Sequence, residues 1–338
     1  MGGIAVDRAS LLRPENLDGS LFKKLAPLML GAGAVMCLVT LAVLFMNATA
    51  DGDELQLARQ AAASFHVGFI VCLGFALGSM GFVMIMHQVN ASWSAAMRRP
   101  LEHAMSLMPL VGIMAIPTVA ILTLMSMSSG ESVLFHWMEE YATTDPIYQH
   151  KEAYLNHTFF LFRAALFFVL WILLVRAVAG PSFKQDETGD RWLTAKARKA
   201  SSYGLVIFAL SSAFASFDWL MGLDYHWFST MFGVYFFAGF IGATLALWCL
   251  ILLMLRRAVK LEGVVTVEHF HDLGKLMFGF TVFWGYIGFS QYFLIWYANI
   301  PEETMYFETR KTGGWELLTT VLVFGKFVVP FLLLRPLR

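Results

Sequence analysis

The chain has 338 residues, 58% of them hydrophobic and only 14% charged, with 24 basic and 24 acidic side chains. That composition excludes a soluble domain, and the lack of a basic stripe interleaved with exposed aromatics excludes a nucleic-acid surface. Gly-rich phosphate loops, Cys-x-x-Cys pairs and nucleophile triads are missing as well.

Residues 1–25 are polar and mixed in charge, without the ordered regions of a signal peptide, and read as a cytoplasmic N-terminal segment before a retained first helix. Residues 26–338 read as one transmembrane domain. A bilayer core takes about 20 apolar residues as helix. Eight runs meet that length, at 26–46, 62–86, 104–126, 157–178, 202–222, 230–255, 274–297 and 314–334. None alternates with the two-residue period of a barrel strand, so the expected fold is all-α, a polytopic integral membrane bundle. The outer-face loop of about 127–156 is expected to hold an amphipathic helix around His136, Trp137, Glu139 and Glu140.

The loops alternate in charge. Seventeen Lys and Arg fall on one side: Arg8, Arg13, Lys23 and Lys24; Arg98 and Arg99; Arg176, Lys184, Arg191, Lys196, Arg198 and Lys199; Arg256, Arg257 and Lys260; Arg335 and Arg338. The other side holds four, Arg59, Lys151, Arg310 and Lys311. The positive-inside rule then puts both termini in the cytoplasm. The opposite loops are acidic and aromatic, and suit either simple solvation or docking of an extracytoplasmic partner.

Ionisable residues inside the runs are costly in hydrocarbon and mark candidate sites. His66, Arg163 and Asp218 fall at similar depth in the outer half, which suits a structural Arg163–Asp218 pair or participation in a quinone or proton site. Asp224 and His226 follow just outside. Near the cytoplasmic face Asp272 and Lys275 lie three apart, on one helix face. They suit a local ion pair or the mouth of a proton path. Tyr286 and Ser290 stack hydroxyls at helical spacing, and Lys326 lies in the middle of the last run, where it must snorkel, deprotonate or find a carboxylate. His66 and His87 sit at opposite ends of one run with no matching pair on a second, which argues against intrinsic haem. Cys37, Cys72 and Cys249 lie apart within apolar runs and read as small core residues.

Several stretches resemble a known family. They are Ser92 and Trp93 with Arg98, Arg99 and Glu102; His136 and Trp137; Asp145 and Pro146; Lys151; Tyr154 to Asn156; and Phe160 to Arg163. The likeness is closer over Ser216 to Tyr235, and closest at His271 to Lys275, Phe283 to Tyr286 and Phe289 to Glu303. Together they resemble the membrane F subunit of alternative complex III, a bacterial quinol:cytochrome c oxidoreductase, within the polysulfide-reductase (NrfD-like) superfamily.

The resemblance implies NrfD-like four-helix bundles in the bacterial cytoplasmic membrane. It implies as partners a homologous NrfD-like C subunit, an iron–sulfur subunit, multihaem and monohaem cytochrome c subunits, and in some assemblies a terminal oxidase. Haem c and iron–sulfur clusters would belong to those partners, quinol or menaquinol would be the substrate of the complex, and this chain would hold no cofactor. It would support quinol oxidation and provide a proton-conducting path, with weight on Asp218, Asp224, His226, Asp272 and Lys275; added to the residues read above, the proton-path candidates are Asp218, His66, Arg163, Asp272, Lys275, Tyr286, Ser290 and Lys326, and Asp224 with His226 forms an outer-face motif. The family has ten transmembrane helices against eight runs here, so either the sequence stops short or another subunit fills the gap. Without the resemblance, a proton or ion transporter or a purely structural anchor accounts for the same residues.

Overall fold

A computed structural model of the chain describes residues 20–49, 52–258 and 265–335. Most of the expected N-terminal segment (1–19), with Asp51, Lys260 and Arg338, lies outside the described residues. Among the described residues every regular element is a helix.

Seven segments are long and apolar enough to cross a bilayer: Lys23–Asn47, Gly52–Val89, Met97–Ser129, His157–Thr188, Trp192–Leu223, Phe232–Arg257 and Trp315–Leu334. The chain is a multi-pass helical membrane protein. The eighth expected run does form a continuous helix, Val267–Ala298. At 32 residues it is about 48 Å long for a rise of 1.5 Å per residue. Length is therefore not its limit; Trp284, Tyr286, Ser290, Gln291, Tyr292 and Tyr297 dilute its apolar character below that of the other seven.

In chain order the helices are α1 (Ser20–Asn47), α2 (Gly52–Val89), α3 (Ala95–Met105), α4 (Met108–Ala115), α5 (Leu122–Ser129), α6 (Pro146–Lys151), α7 (His157–Thr188), α8 (Trp192–Trp219), α9 (Phe232–Ala258), α10 (Val267–Ala298), α11 (Pro301–Thr309), α12 (Trp315–Val323) and α13 (Val329–Leu334). Two π-helical turns, Ile116–Ile121 and Phe324–Val328, join α4 to α5 and α12 to α13 without breaking the rods. Local chemistry sets the ends. Asn156 caps α7 by accepting from the Phe159 amide at 2.9 Å. Pro301 opens α11, one extended residue (Ile300) after the left-handed Asn299 that ends α10.

α2 is the axis of the structure. It packs against α1, α3, α4, α8 and α9, and 72% of its most apolar window is buried. Close approach to α9 depends on Gly78, since a Cβ there would run into the Thr244 side chain and the Phe240 carbonyl. α7 and α8 complete this part as an antiparallel pair. The α12–α13 rod, by contrast, rests on α10 and has no buried residue.

The loop between α5 and α7 is not the single amphipathic helix its pattern suggests. Gly130 in the left-handed region stops α5, and the chain continues through 3-10 turns at His136–Met138 and Glu140–Thr144. Pro146 then starts the short α6, with the Asp145 carboxylate accepting from the Ile147 amide at 2.8 Å. Pro146 and the left-handed Gly130 interrupt a run whose polar and apolar residues alone would allow a helix.

Candidate functional site

α7 and α8 bring Arg163 and Asp218 together. The Arg163 Nε and Nη2 groups donate to the two oxygens of the Asp218 carboxylate at 2.8 and 2.9 Å. Asp218 is fully buried and the Arg163 side chain is 6% exposed. The third guanidinium nitrogen, Nη1, donates to the Tyr154 carbonyl at 2.8 Å, while the rings of Tyr154 and Phe159 cover the guanidinium at 3.8 and 4.4 Å. A planar fork with five donors suits this bidentate geometry, which a lysine could not reproduce.

His66, the third residue at this depth, does not hydrogen-bond to either charge. Its Nε2 lies 2.8 Å from the carbonyl of Trp219, the residue after Asp218, and its Nδ1 lies 3.2 Å from the Thr118 hydroxyl. A carbonyl only accepts, so Nε2 carries the proton, and a neutral ring then accepts from Thr118 on Nδ1. The Trp219 carbonyl ends α8 and the π-helical turn carries Thr118, so His66 ties three elements at one level. Around it stand Phe69, Phe135, Phe160 and Trp219, packed edge-to-face and tilted at centroid distances of 5.3–5.8 Å.

Above this layer the loops that follow α5 and α8 form a second network. The Asp145 carboxylate accepts from the Tyr225 hydroxyl at 3.0 Å and pairs with His226 Nε2 at 2.7 Å. Lys151 Nζ donates to the Tyr225 carbonyl at 2.5 Å. The Ile147 amide first, and then the His226 and Tyr225 side chains, hold Asp145 below the ordinary carboxylate range. Burial pushes the Tyr225 hydroxyl up, with Asp145 acting in the same direction, and burial pulls the Lys151 ammonium down. Asp224 accepts from the His226 amide at 3.3 Å and lines a cavity of about 550 Å³ together with His136, Tyr141, His226, Arg310 and Trp315. Trp227 stacks on Tyr306 at 4.0 Å, and Arg310 covers the Tyr306 ring at 3.4 Å, so the turn after α8 is clamped to α11.

The remaining sequence candidates lie along α10 and the last rod. Lys275 Nζ is 3.4 Å from the Asp272 carboxylate, an exposed local ion pair. Tyr286 is 66% exposed, and Ser290, four residues on, is half-buried. Lys326 sits on the second π-helical turn and directs its ammonium inward, 4.6 Å above the Trp284 ring. Among the described residues no carboxylate pairs with it. Gln291 is buried on the same helix and accepts from the Ser229 hydroxyl at 2.8 Å. The structure therefore divides the candidates: His66, Arg163 and Asp218 meet at one level, whereas Asp272, Lys275, Tyr286, Ser290 and Lys326 are spread along another part of the molecule.

One charged cluster escapes a reading of motifs alone. Glu102 is fully buried at the opposite membrane edge, where it accepts from Arg99 at 2.7 Å and from the Ser182 hydroxyl at 2.9 Å, with Arg98 at 3.4 Å. Arg99 continues to Asp186 and stacks over Phe183. The spacing of Arg98, Arg99 and Glu102 hints at helix-face pairing, but only the packing of α7 shows that the carboxylate is shut away from solvent. Thr118 was likewise hidden, because it acts from a π-helical turn, and the resembling stretch at Asp145 gave no sign of its partners about 80 positions away.

No family model matches the chain, and no curated protein matches it significantly. Among the described residues no group of three or more His, Cys, Asp or Glu is placed to hold a metal ion.

Proposed function

We propose that the chain is a membrane subunit of a bacterial quinol:cytochrome c oxidoreductase of the alternative complex III type. In this reading it lies in the cytoplasmic membrane with both termini inside, α10 serves as an eighth span, and the spans form NrfD-like bundles. It holds no redox centre. It supports quinol oxidation beside a homologous C subunit, under iron–sulfur and cytochrome c subunits that carry the electrons.

The observation that carries this reading is where the resembling residues meet. Asp145, Lys151, Tyr154, Arg163, Asp218, Tyr225, His226, Ser229 and Gln291 come from stretches far apart in sequence. They join through direct hydrogen bonds into layers at one membrane edge, beneath an open cavity. Stretches that resemble one family and converge in space support a shared purpose, and a polar, aromatic rim at a membrane edge suits docking of a water-exposed partner.

A proton-conducting role belongs to the α9–α10 seam in this reading, with Asp272 and Lys275 at one end, Lys326 in the middle and Gln291 with Ser229 at the other. The Arg163–Asp218 pair is the structural counterpart, since both carboxylate oxygens are already engaged.

Solubilisation of native membranes in mild detergent, with affinity capture of this chain, tests the assignment. Co-purification of haem c and iron–sulfur signals with quinol:cytochrome c activity is expected. A chain that purifies alone and drives ion uptake in liposomes would instead identify a transporter. Asp272→Asn is expected to lower proton release per electron more than quinol oxidation; full proton release in that variant removes the proton path.

A further inference from the structure

Lys326 lies on the last membrane-length segment, Trp315–Leu334, whose 20 residues span about 30 Å, the thickness of a hydrocarbon core. At about 1.5 Å per residue it stands about 16 Å from the Trp315 end and about 12 Å from the Leu334 end. A lysine side chain of five bonds, each about 1.5 Å, reaches about half the shorter distance. Snorkelling to a headgroup layer is out of range. The ammonium instead lies 4.6 Å from the centre of the Trp284 ring on α10 and beside Gly239 on α9, where a Cβ would stand 3.4 Å from Nζ. A tryptophan face attracts a cation but supplies no counter-charge. Lys326 is nevertheless exposed on the surface of the chain, on a rod without a buried residue. Lipid tails leave such a charge unanswered.

The chain's own acids do not answer it either. Of its 24 Asp and Glu, only Asp218 and Glu316 fall within the eight apolar runs. Both oxygens of Asp218 are held by Arg163. Glu316 lies at the start of the same rod, about 15 Å from Lys326 along its axis. A second copy lying the same way in the membrane offers the same two acids at the same two depths, one engaged and one displaced. A carboxylate at the depth of Lys326 therefore has to come from a different chain.

We propose that Lys326 marks a docking surface for a transmembrane helix of a different subunit, one that carries an Asp or Glu at mid-membrane. Its carboxylate meets the ammonium in the notch bounded by Gly239, Trp284 and the second π-helical turn. Opposite charges that pair in hydrocarbon each lower the other's cost, and the pair fixes where along the rod the partner sits. Leu322 and Val329, exposed about one turn to either side of Lys326, supply the apolar contact of a helix–helix seam. The inference stands on the depth of Lys326 and does not depend on the electron-transfer reading.

The test uses the full chain in native membranes, with the photoreactive substitutions Leu322→benzoylphenylalanine and Val329→benzoylphenylalanine made singly. After irradiation the cross-linked peptide is mapped by mass spectrometry. Both positions are expected to join one apolar, helix-length segment of another chain, with an Asp or Glu within about one turn of the attachment point. Adding Lys326→Glu is expected to lower the adduct yield about tenfold, and changing the partner's acid to Lys in the same cells to restore it. Adducts to lipid alone, to a second copy of this chain, or to a helix without an acid at that level each overturn the proposal. So does a Lys326→Glu chain with the wild-type melting profile whose adduct yield is undiminished, or whose loss the exchange does not repair. The mapping itself uses chains that keep Lys326, so it decides the question even where Lys326→Glu fails to fold.

Discussion

The part of the molecule built on α2, α7 and α8 and the part built on α10, α12 and α13 handle membrane-embedded charge in opposite ways. In the first, each buried charge meets its partner inside the chain: Arg163 with Asp218 at one edge, Glu102 with Arg98 and Arg99 at the other. In the second, Lys326 rests on a tryptophan ring, and the Asp272–Lys275 pair stays at the surface. The burial of the helices follows the same division, from 72% of the central window of α2 to none in α12–α13. Charges closed within a chain fix its register. Charges left open can exchange protons or meet another subunit, which is why the proposed proton path is placed in the second part and the scaffold in the first.

This difference can be broken most sharply at Asp218. Asp218→Ala or Arg163→Ala strands an uncompensated buried charge and is expected to cost about 3–5 kcal/mol, read from chemical unfolding in detergent. The double replacement of both by leucine is expected to lose much less than either single change. If the single changes prove harmless, the Arg163–Asp218 pair is not the lock described. Glu102→Gln removes charge-assisted bonds at the other edge and should cost about 1.5–3 kcal/mol. Thr118→Val leaves His66 Nδ1 without its donor, and a loss of about 1 kcal/mol is expected in the same assay.

Acid should open the Asp145 corner before the bundle. Asp145 has a lower pKa folded than unfolded, so its contribution is complete above the ordinary carboxylate range and is lost as the pH falls through the lowered folded value. Exchange protection of the 136–151 segment, taken relative to the intrinsic rate at each pH, is expected to be constant above the ordinary carboxylate range and to fall once the pH has dropped below that range, through the lowered folded value. Protection that does not fall anywhere below the ordinary carboxylate range would show that Asp145 does not hold the loop. The smallest effect belongs to the second part. Asp272→Asn should shift stability by less than about 0.5 kcal/mol, as for other exposed pairs, so any larger functional change there is not a folding effect.

Much of this was legible in the residues. Apolar run length marks the spans, and comparable depth on the fifth and fourth runs points to the Arg163–Asp218 contact. The partners of His66 were not legible, because one is a backbone carbonyl at a helix end and the other is presented by a π-helical turn, and neither leaves a side-chain pattern. Composition blurred α10, whose aromatic and amide side chains lower its apolar character while its backbone stays continuous. The 127–156 loop misled for the converse reason: its amphipathic pattern satisfies a helix, but Pro146 and the left-handed Gly130 cannot continue one.

The two π-helical turns have a consequence for how this sequence can change over generations. Each accommodates about one residue more than an α-helix would over the same stretch, and one residue corresponds to about 100° of rotation around a helix of 3.6 residues per turn. A single-codon deletion within 116–121 would relax that stretch to regular helix while keeping its rod continuous. It would also swing Thr118 away from His66. A deletion within 324–328 would do the same to Lys326 above Trp284. Both positions are therefore places where indels, rather than point substitutions, would re-aim a polar group inside the membrane without dismantling the bundle.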